Sequence, residues 1–513
     1  MISAEQIERR LDEILLRVQK PGRYVGGEFN QVTKNWDSVQ THVALAFPDI
    51  YDIGVPNLGL AILYDLINSR ADALAERVYL PWLDMEALMH ERGIPLYALE
   101  SKRAVRDFDI LALTLPYETL YTNTLNLLDL AGIPLESAQR GADMPLIIAG
   151  GHAAYNPEPM SAFLDAFVIG EGEEVMAEIL DAHRAWKAEG AKDKDALLRA
   201  LAALPGVYVP KYYQPGYQPD GRVAKIEKIE PAAPASILKR MVPRLPKPPT
   251  RFIVPTVDVV HNRIAVEIMR GCTRGCRFCH AGFVTRPVRE RSVDEVIQAI
   301  DASLSATGFE EVALLSLSSS DYTQINALVE AVGARYAGRN LSISLPSLRI
   351  ETTSVDLLER LKGNRSGGFT LAPEAATERM RNTINKPIQS EQLLETAQAI
   401  YSRGWPTLKL YFMIGHPNET LEDVQGIVDL CYQVMAVGKR ALGRRAALNV
   451  GVSTFVPKPH TPFQWSPCDT PEQIFEKQRL LKSALRQPGI KLSWTHPDDT
   501  MLESWLSRGD RRL

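Results

Sequence analysis

Cysteine is scarce in this chain, and long apolar runs are absent. Five of the 513 residues are Cys, and no apolar stretch approaches the ~20 residues that a membrane-spanning helix needs. Cys431 and Cys468 stand alone, so no disulfide framework can be built from them. The segment from Met1 to Arg10 mixes acidic and basic side chains and is not a signal peptide. We therefore expect a protein of the reducing cytoplasm that has no membrane partner.

Excess charge of either sign is also lacking. The chain has 58 Lys and Arg against 62 Asp and Glu, a net charge of −4. No overall basic field therefore points to nucleic acid or to an anionic membrane. A hydrophobic content of 45% and a charged content of 23% are those of ordinary globular proteins. The length predicts two or three domains, each with its own core.

The other three cysteines lie within eight residues, at Cys272, Cys276 and Cys279. An apolar, β-branched run that predicts a strand, residues 264–271, precedes them. Gly271 and Gly275 allow the backbone to curl tightly, so the thiolates can converge. Soft thiolate ligands at such short spacing hold zinc or an iron–sulfur cluster.

The number of ligands favours the cluster over zinc. Structural zinc needs four Cys or His ligands, and the fourth would be His280, which directly follows Cys279 and is poorly placed to share its metal. Three cysteines on a four-iron cluster leave one iron open for chemistry. Structural zinc and a chance grouping of cysteines remain the alternatives.

The segment Cys272-Thr-Arg-Gly-Cys276-Arg-Phe278-Cys279, including the aromatic Phe278 before the third cysteine, resembles the signature of the radical S-adenosylmethionine (radical SAM) superfamily. The resemblance implies a [4Fe–4S] cluster whose open iron binds the amino and carboxylate groups of SAM. It further implies cleavage of SAM to methionine and a 5′-deoxyadenosyl radical. An electron donor such as flavodoxin or ferredoxin is the implied partner.

The first half of the chain alternates short apolar strands with helices, which predicts a doubly wound, Rossmann-like α/β domain over residues 41–230. A helical extension is expected over residues 1–40, and the prolines of residues 231–250 predict a stiff linker. The predicted strands are Val43–Pro48, Arg77–Leu80, Leu96–Leu99, Ile110–Leu115, Leu146–Ala149 and Ala166–Ile169.

Residues at three of these strand ends resemble the cobalamin-binding domain found ahead of many radical SAM domains. After the first strand, the chain reads Asp49-x-Tyr51-x-x-Gly54, where that domain has Asp-x-His-x-x-Gly. Thr114 lies at the end of the predicted strand Ile110–Leu115, and Gly150 and Gly151 follow the predicted strand Leu146–Ala149. With tyrosine at the position of the cobalt-ligating histidine, either cobalamin binds without that ligand or the domain has lost the cofactor.

The second half shows six strand–helix units over residues 251–465, and the radical SAM resemblance implies that they form a partial (β/α)6 TIM-type barrel. A C-terminal helical extension is expected over residues 466–513. Chemistry in such barrels gathers on the loops after the strands. The predicted strands are Ala265–Met269, Val312–Ser316, Ser342–Leu345, Phe369–Leu371, Thr407–Met413 and Asn449–Phe455.

The later strand ends carry candidate SAM contacts. Ser318, Ser319 and Asp321 follow the second strand, where the family holds the SAM amino group, although such residues also cap helices. Arg349, after the third strand, could bind the SAM carboxylate or form a surface ion pair.

Glu374 closes the fourth strand in an Ala-Pro-Glu element, which the resemblance assigns to the SAM ammonium or ribose. Gly415 closes the fifth, where the family places backbone beside adenine. His416, Lys458 and His460 are candidate substrate contacts, and packing is the alternative for His416.

These observations predict a radical SAM enzyme that carries out C-methylation or rearrangement of an unactivated carbon if cobalamin binds; the sequence names no substrate. A non-enzymatic cobalamin- or redox-responsive binding protein and an RNA-modifying radical SAM enzyme are the alternatives. The loop at 452–462 resembles one in methylthiotransferases, but no cysteine precedes Cys272, where those enzymes carry a further triad.

Overall, the chain resembles an uncharacterised subgroup of cobalamin-domain radical SAM proteins. Some members of this subgroup are accompanied by a small radical-SAM-linked protein, which makes such a protein a candidate partner. Their chains often run on past the position of Leu513, so the sequence is compatible with being part of a longer protein.

Overall fold

A computed structural model describes residues 2–339, 341–346, 349–350 and 369–513. The chain divides into two compact units. Unit 1 comprises Met1–Asn262, Ser305–Gly308 and Gly509–Leu513. Unit 2 comprises Arg263–Leu304 and Phe309–Arg508.

Unit 1 is built on a six-stranded sheet with the order β2-β1-β3-β4-β5-β6. Its first five strands are parallel, and β6 runs antiparallel to β5. The strands are β1 Thr41–Ile50, β2 Ala73–Leu80, β3 Ile110–Thr114, β4 Leu146–Gly150, β5 Ala166–Val168 and β6 Val207–Tyr208.

The apolar character of these strands follows from their position in the sheet. The eight residues of β2 are all buried, as are the first eight of β1, because a parallel sheet is covered by helices on both faces. The strand order places a topological switch between β1 and β3, and ligands of open α/β sheets bind at the carboxyl ends of strands beside such a switch. The predicted doubly wound architecture is confirmed.

The first helix of unit 1 is shorter than the helical extension expected over residues 1–40. It begins with a capping box at Ser3, buries Ile7, Leu11 and Ile14, and ends at Ile14. The helices of at least eight residues are Ala4–Ile14, Leu58–Ser69, Leu83–Arg92, Leu120–Leu130, Gly172–Ala188 and Lys194–Ala202.

Two segments of unit 1 differ from expectation. Residues 96–99 form no strand, because their N–H groups bond to carbonyls of three separate segments: Leu130, Arg103 and Arg77. Only an isolated bridge joins Tyr97 to Ala104. The proline-rich segment 231–250 is not a bare linker. Its Arg240 exchanges backbone hydrogen bonds with Ile169 and Glu171 of the same unit.

Unit 1 also contains an exposed two-stranded antiparallel ribbon. Its strands are β7 Tyr213–Tyr217 and β8 Val223–Lys228, and every residue of β8 is exposed.

The described residues of unit 2 include seven parallel strands in two sheets, ordered β13-β12-β9 and β14-β15-β16-β17. A short antiparallel pair, β10 Met269–Arg270 with β11 Arg289–Glu290, closes the loop after β9. The parallel strands are β9 Ile264–Glu267, β12 Glu311–Leu315, β13 Ser342–Ser344, β14 Phe369–Glu374, β15 Thr407–Ile414, β16 Ala447–Thr454 and β17 Ile490–Trp494.

The six predicted strands of unit 2 are all present, and β17 is an addition. It pairs in parallel with β16 inside the segment that was expected to be helical. Alternation of Ile490, Leu492 and Trp494 is a strand signal that the sequence analysis missed. The helix expected to begin at Ser354 lies outside the described residues.

The helices of unit 2 cover the strands in the β/α alternation expected for this barrel. Those described are His280–Val284, Val293–Thr307, Ile325–Arg335, Glu378–Thr383, Ser390–Ser402, Leu421–Leu442, Pro471–Ala484 and Pro497–Arg508. Across the described ranges of both units, no helix is both long enough and apolar enough to cross a bilayer.

Helix packing in unit 2 depends on a missing side chain at Gly438. A Cβ there would come within 2.9 Å of the Tyr401 ring and 3.1 Å of the Ala446 Cβ. Tyr401 is fully buried, and its hydroxyl donates to the Ala447 carbonyl at 3.0 Å. The helix Leu421–Leu442 can therefore pack this closely against the helix Ser390–Ser402 only because Gly438 has no Cβ.

We expect Gly438→Ala to destabilise unit 2 by about 1–3 kcal/mol, because the added methyl overpacks a rigid ring. The measurement is the urea midpoint of unfolding. Gly333→Ala is the matched control, since it lies in a helix of the same unit with no atom within 4 Å of the added Cβ. It should be neutral or stabilising by up to about 1 kcal/mol. Equal effects of the two substitutions would contradict this account.

Candidate functional site

The three clustered cysteines lie on the loop between β10 and the helix His280–Val284. Gly271 and Gly275 have φ of +92° and +70°, a backbone conformation that side chains other than glycine rarely adopt. At Gly271, a Cβ would also come within 2.6 Å of the Pro287 carbonyl oxygen. Both glycines are therefore required for the tight curl of this loop.

The three thiols of the loop differ in burial, and the pKa of Cys279 is raised. Cys276 is buried, Cys272 and Cys279 are half-buried, and all three are free. Cys279 caps the following helix, and its Sγ accepts a hydrogen bond from the Gly282 N–H at 3.3 Å. Burial raises the pKa of Cys279, and the charges of the other two thiols and of Glu374 raise it further.

The donor set of this loop fits an iron–sulfur cluster. Its three side chains are thiols, the soft ligands that hold such clusters, and a [4Fe–4S] cluster takes one cysteine per iron. Among the described residues, no three His, Cys, Asp or Glu side chains are grouped as the ligands of one metal ion.

The polar residues after β12 have partners within the protein. The Asp321 carboxylate forms a two-pronged ion pair with Arg274 of the cysteine loop, with Nε at 2.8 Å. Ser318 donates to the same carboxylate at 2.6 Å, and buried Ser319 bonds to the Ser316 hydroxyl. Burial acts to raise the pKa of Asp321, but these hydrogen bonds and the Arg274 charge outweigh it and lower the pKa. Ser318 and Asp321 are therefore bound to each other and to the cysteine loop, and the role of Ser318, Ser319 and Asp321 as SAM contacts stays a prediction.

Arg349 lies beside the cysteine loop. Its Nη1 is 3.8 Å from Cys276 Sγ, and its backbone N–H donates to the Ser320 hydroxyl at 3.0 Å. The guanidinium therefore lies near Cys276, and Arg349 stays the predicted contact of the SAM carboxylate.

Glu374 ends β14 with φ of +65°, which is uncommon for a residue with a side chain and costs about 1–3 kcal/mol. Its carboxylate is half-buried and forms an ion pair with Lys386 Nζ at 3.1 Å. Such strain is concentrated at functional sites, where the surrounding structure holds it in place.

The loop after β15 contains a buried histidine. His416 is 3% exposed, and its ring lies 6.0 Å from that of Phe278 and 5.9 Å from that of Phe455, measured between centroids. Burial lowers its pKa to about 4, so the imidazole is neutral at physiological pH. Phe278 also packs against the apolar cluster of Ala375, Met380 and Ile384.

A buried charge network that the sequence analysis missed fixes this same loop. The Gly415 N–H donates to Glu419 Oε1 at 2.8 Å, and Lys477 Nζ bridges Glu419 at 2.8 Å and Asp469 at 2.6 Å. Asp469 lies against Gly415, so a Cβ there would come within 3.0 Å of its Oδ2. The acidic Glu419, four residues after Gly415, is the only part of this network that lies close to the strand end in sequence. Lys477 is distant in sequence, so no local pattern predicts its contact with Glu419.

The other two substrate candidates are differently placed. Lys458 forms an ion pair with Glu503 at 2.7 Å and donates to the Ser507 hydroxyl at 2.9 Å. Its charge thus holds the helix Pro497–Arg508. His460 is exposed, has φ of +59°, and donates its N–H to Gln464 Oε1 at 3.0 Å.

In unit 1, the tyrosine at the histidine position of the cobalamin motif is buried. Tyr51 is 1% exposed, and its hydroxyl donates to Glu28, which also binds Arg77. Burial raises the pKa of Tyr51, and the Glu28 charge adds to the increase. Arg77 Nε in turn bonds Glu100 at 2.6 Å. The phenol is therefore part of an internal network and does not extend from the end of the sheet.

Two of the motif glycines pack against the chain itself. A Cβ at Gly54 would come within 2.5 Å of the Tyr79 ring, and one at Gly151 within 2.4 Å of the Leu115 carbonyl oxygen. The other candidates, Asp49, Thr114 and Gly150, are half-buried at the carboxyl ends of β1, β3 and β4, beside the switch between β1 and β3.

Two known protein families match the chain, one within unit 1 and one within unit 2. Residues 59–210 match the family of radical SAM proteins, N-terminal, and residues 266–431 match the radical SAM superfamily. The second match begins within β9, ends after β15 and contains the cysteine loop. The matched domains define a radical SAM enzyme. Residues 266–431 form its radical SAM domain, and residues 59–210 form the N-terminal domain type of radical SAM proteins.

Two relatives differ in how much of the chain they match. An uncharacterised protein of Methanocaldococcus jannaschii is 25% identical over 477 residues, covering 92% of this chain and 89% of that protein. A tRNA-2-methylthio-N(6)-dimethylallyladenosine synthase of Sorangium cellulosum is 26% identical over 249 residues. That match covers 43% of this chain and 48% of the synthase, so the chain spans about half of that enzyme.

Solved structures share the fold at low identity. The radical SAM methyltransferase TsrM of Kitasatospora setae, solved with cobalamin and a [4Fe–4S] cluster, has a TM-score of 0.54 at 15% identity, covering 82% of this chain and 77% of TsrM. OxsB, a cobalamin-dependent S-adenosylmethionine radical enzyme solved with aqua-cobalamin and SAM, has a TM-score of 0.54 at 12% identity. That match covers 86% of this chain and 61% of OxsB.

We expect Lys477→Met to destabilise the protein by about 3 kcal/mol, because it leaves the buried Glu419 carboxylate without its cation. The urea midpoint of unfolding measures this loss. Glu419→Gln keeps an acceptor for the Gly415 N–H, so the double variant should recover about half of it. Additive losses in the double variant would show that the two residues are not coupled.

Proposed function

We propose that this protein holds a [4Fe–4S] cluster on Cys272, Cys276 and Cys279 and cleaves SAM reductively to act on an unactivated carbon. The observation that carries the proposal is the placement of three free thiols on one tightly curled loop, within the segment that matches the radical SAM superfamily. When bound, such a cluster supplies the electron that cleaves SAM to methionine and a 5′-deoxyadenosyl radical.

The side chains around the loop have distinct parts in this proposal. Arg349, near Cys276, provides a cation for the SAM carboxylate, and Glu374 provides an acceptor for its ammonium or ribose. Gly415 presents backbone at the end of β15, held by Glu419 and Lys477. His416 is buried beside Phe278 and Phe455 and is neutral at physiological pH, so it adds no charge to that part of the site.

The partners and compartment follow from the same chemistry. An electron donor such as flavodoxin or ferredoxin would reduce the cluster, and a small radical-SAM-linked protein is a further candidate partner. The five cysteines are all free, which supports a reducing cytoplasm. The substrate is a small molecule or a macromolecule with an unreactive C–H bond.

Cys279→Ala should abolish both the cluster and SAM cleavage, because it removes one of three iron ligands. Protein reconstituted under anaerobic conditions is assayed for iron and sulfide, and for 5′-deoxyadenosine after addition of SAM and dithionite. The control is Cys431→Ala, which alters a fully buried thiol in the helix Leu421–Leu442 and should retain both. Retained SAM cleavage by Cys279→Ala would refute the ligand assignment.

We propose further that unit 1 binds cobalamin at the carboxyl ends of its central strands, which would allow C-methylation or rearrangement. Support comes from the strand order, from half-buried Asp49, Thr114 and Gly150 at those ends, and from cobalamin-bound neighbours of the same fold. Because Tyr51 is buried on Glu28, cobalt would receive no ligand from that position.

Hydroxocobalamin should bind the anaerobic protein with an absorption spectrum that lacks histidine ligation. Tyr51→Phe should bind it with the same spectrum, because the phenol lies away from the ligand. Gel filtration followed by absorption spectroscopy measures both properties. Absence of bound cobalamin in the wild-type protein would contradict the proposal, and a spectral change in Tyr51→Phe would contradict the placement of the tyrosine.

Two other functions are less well supported. The family match makes the chain an enzyme, so the non-enzymatic binding protein loses its basis. Methylthiotransferase relatives favour RNA modification, but they match under half of the chain, and no cysteine precedes Cys272 to hold a second cluster. Methylthiolation is therefore not the proposed reaction.

A further inference from the structure

One exposed side chain binds two adjacent carbonyls of the cysteine loop. Asn385 Nδ2 donates to the Gly275 carbonyl at 2.9 Å and to the Arg274 carbonyl at 3.2 Å. The two hydrogens of one amide group are thus divided between two peptide units that directly precede Cys276. Because Asn385 is more than 100 residues further along the chain, this contact exists only in the folded unit.

The segment around Asn385 adds backbone contacts to the same loop. The Arg277 N–H donates to the Ile384 carbonyl at 2.9 Å, and Arg277 Nη1 donates to the Thr383 carbonyl at 2.6 Å. Bonds from residues 383–385 therefore fix the loop on both sides of Cys276. The next residue, Lys386, pairs with Glu374, so the same turn also holds the strained end of β14.

Asn385 has the backbone conformation that this contact requires. Its φ is +56°, in the left-handed region that asparagine tolerates better than most residues with side chains. Its own N–H donates to the Asn382 carbonyl at 3.1 Å, which ends the helix Glu378–Thr383. The turn thereby aims the amide group at the cysteine loop.

Gly275 completes the fit between the two segments. A Cβ at this position would come within 3.2 Å of Arg286 Nη2 and 3.5 Å of Asn385 Nδ2. Arg286 Nε also donates to the Cys272 carbonyl at 3.2 Å. Arg286 and Asn385, which both donate hydrogen bonds to carbonyls of the loop, therefore occupy the space next to Gly275.

We propose that Asn385 is a positioning residue that holds the cysteine loop in its cluster-binding conformation. This inference rests on the proposed function. Three thiolates can bind one cluster only if the loop backbone keeps them at fixed mutual positions. The two Asn385 bonds oppose opening of the loop at Cys276, and opening must precede the loss of iron from that ligand. Asn385 itself is not a ligand and acts only through the backbone of the loop.

The test compares Asn385→Gly, Asn385→Asp and wild type after anaerobic reconstitution. Glycine removes the donor and keeps the left-handed backbone, whereas aspartate keeps the shape but faces two carbonyls without a donor. Asn418→Gly is the matched control, because Asn418 is also exposed and has φ of +64°. Iron release to a chelator is followed by absorbance, and the reduced cluster with SAM by electron paramagnetic resonance.

We expect both Asn385 variants to release iron about five- to thirtyfold faster than wild type, from the loss of two hydrogen bonds. Their resonance lines should broaden, while the melting temperatures of the apo forms should fall by only about 2–4 °C, because the two bonds lie in one exposed loop. Asn418→Gly should match wild type throughout. Wild-type release rates and spectra in both Asn385 variants would overturn the inference. A wild-type protein that takes up no cluster would instead refute the proposed function.

Discussion

Three thiols on eight residues can meet only if the backbone between them curls tightly and is prevented from uncurling. Two glycines at positive φ provide the curl. The ion pair between Arg274 and Asp321 holds it from the loop after β12, and the amide of Asn385 holds it from the turn after the helix Glu378–Thr383. Because β9 and β12 pair in parallel, the loops that carry Arg274 and Asp321 lie at the same edge of their sheet.

Buried charges in unit 2 serve mainly to position backbone. Lys477, Glu419 and Asp469 together fix the loop at Gly415, and Lys386 holds Glu374 in a strained conformation. Each of these ions has a partner at ion-pair distance, which offsets the large cost of removing it from water. Arg349 Nη1 lies 3.8 Å from Cys276 Sγ, and the His416 ring lies 6.0 Å from that of Phe278.

Unit 1 shows how a familiar sheet can carry an altered motif. Its strand order leaves the usual ligand-binding edge in place, but the phenol of Tyr51 is turned into a network with Glu28, Arg77 and Glu100. Tyrosine in place of histidine thus changes both the chemistry available to a metal and the direction in which the side chain points. The fold persists because its parallel strands depend on apolar burial and not on that one residue.

By itself, the sequence determined the α/β architecture, most strands of the parallel sheets and the cysteine loop, because hydrophobic periodicity, glycine placement and cysteine spacing are local properties. It also located His416 and Tyr51 at strand ends. Only the tertiary structure decided their surroundings: that Asp321 is bound to Arg274, that Lys458 pairs with Glu503, and that Tyr51 points inward. It likewise revealed Asn385, Lys477 and the strand β17. The partner of a charged or amide group is set by which distant segments pack together, and no local pattern records that.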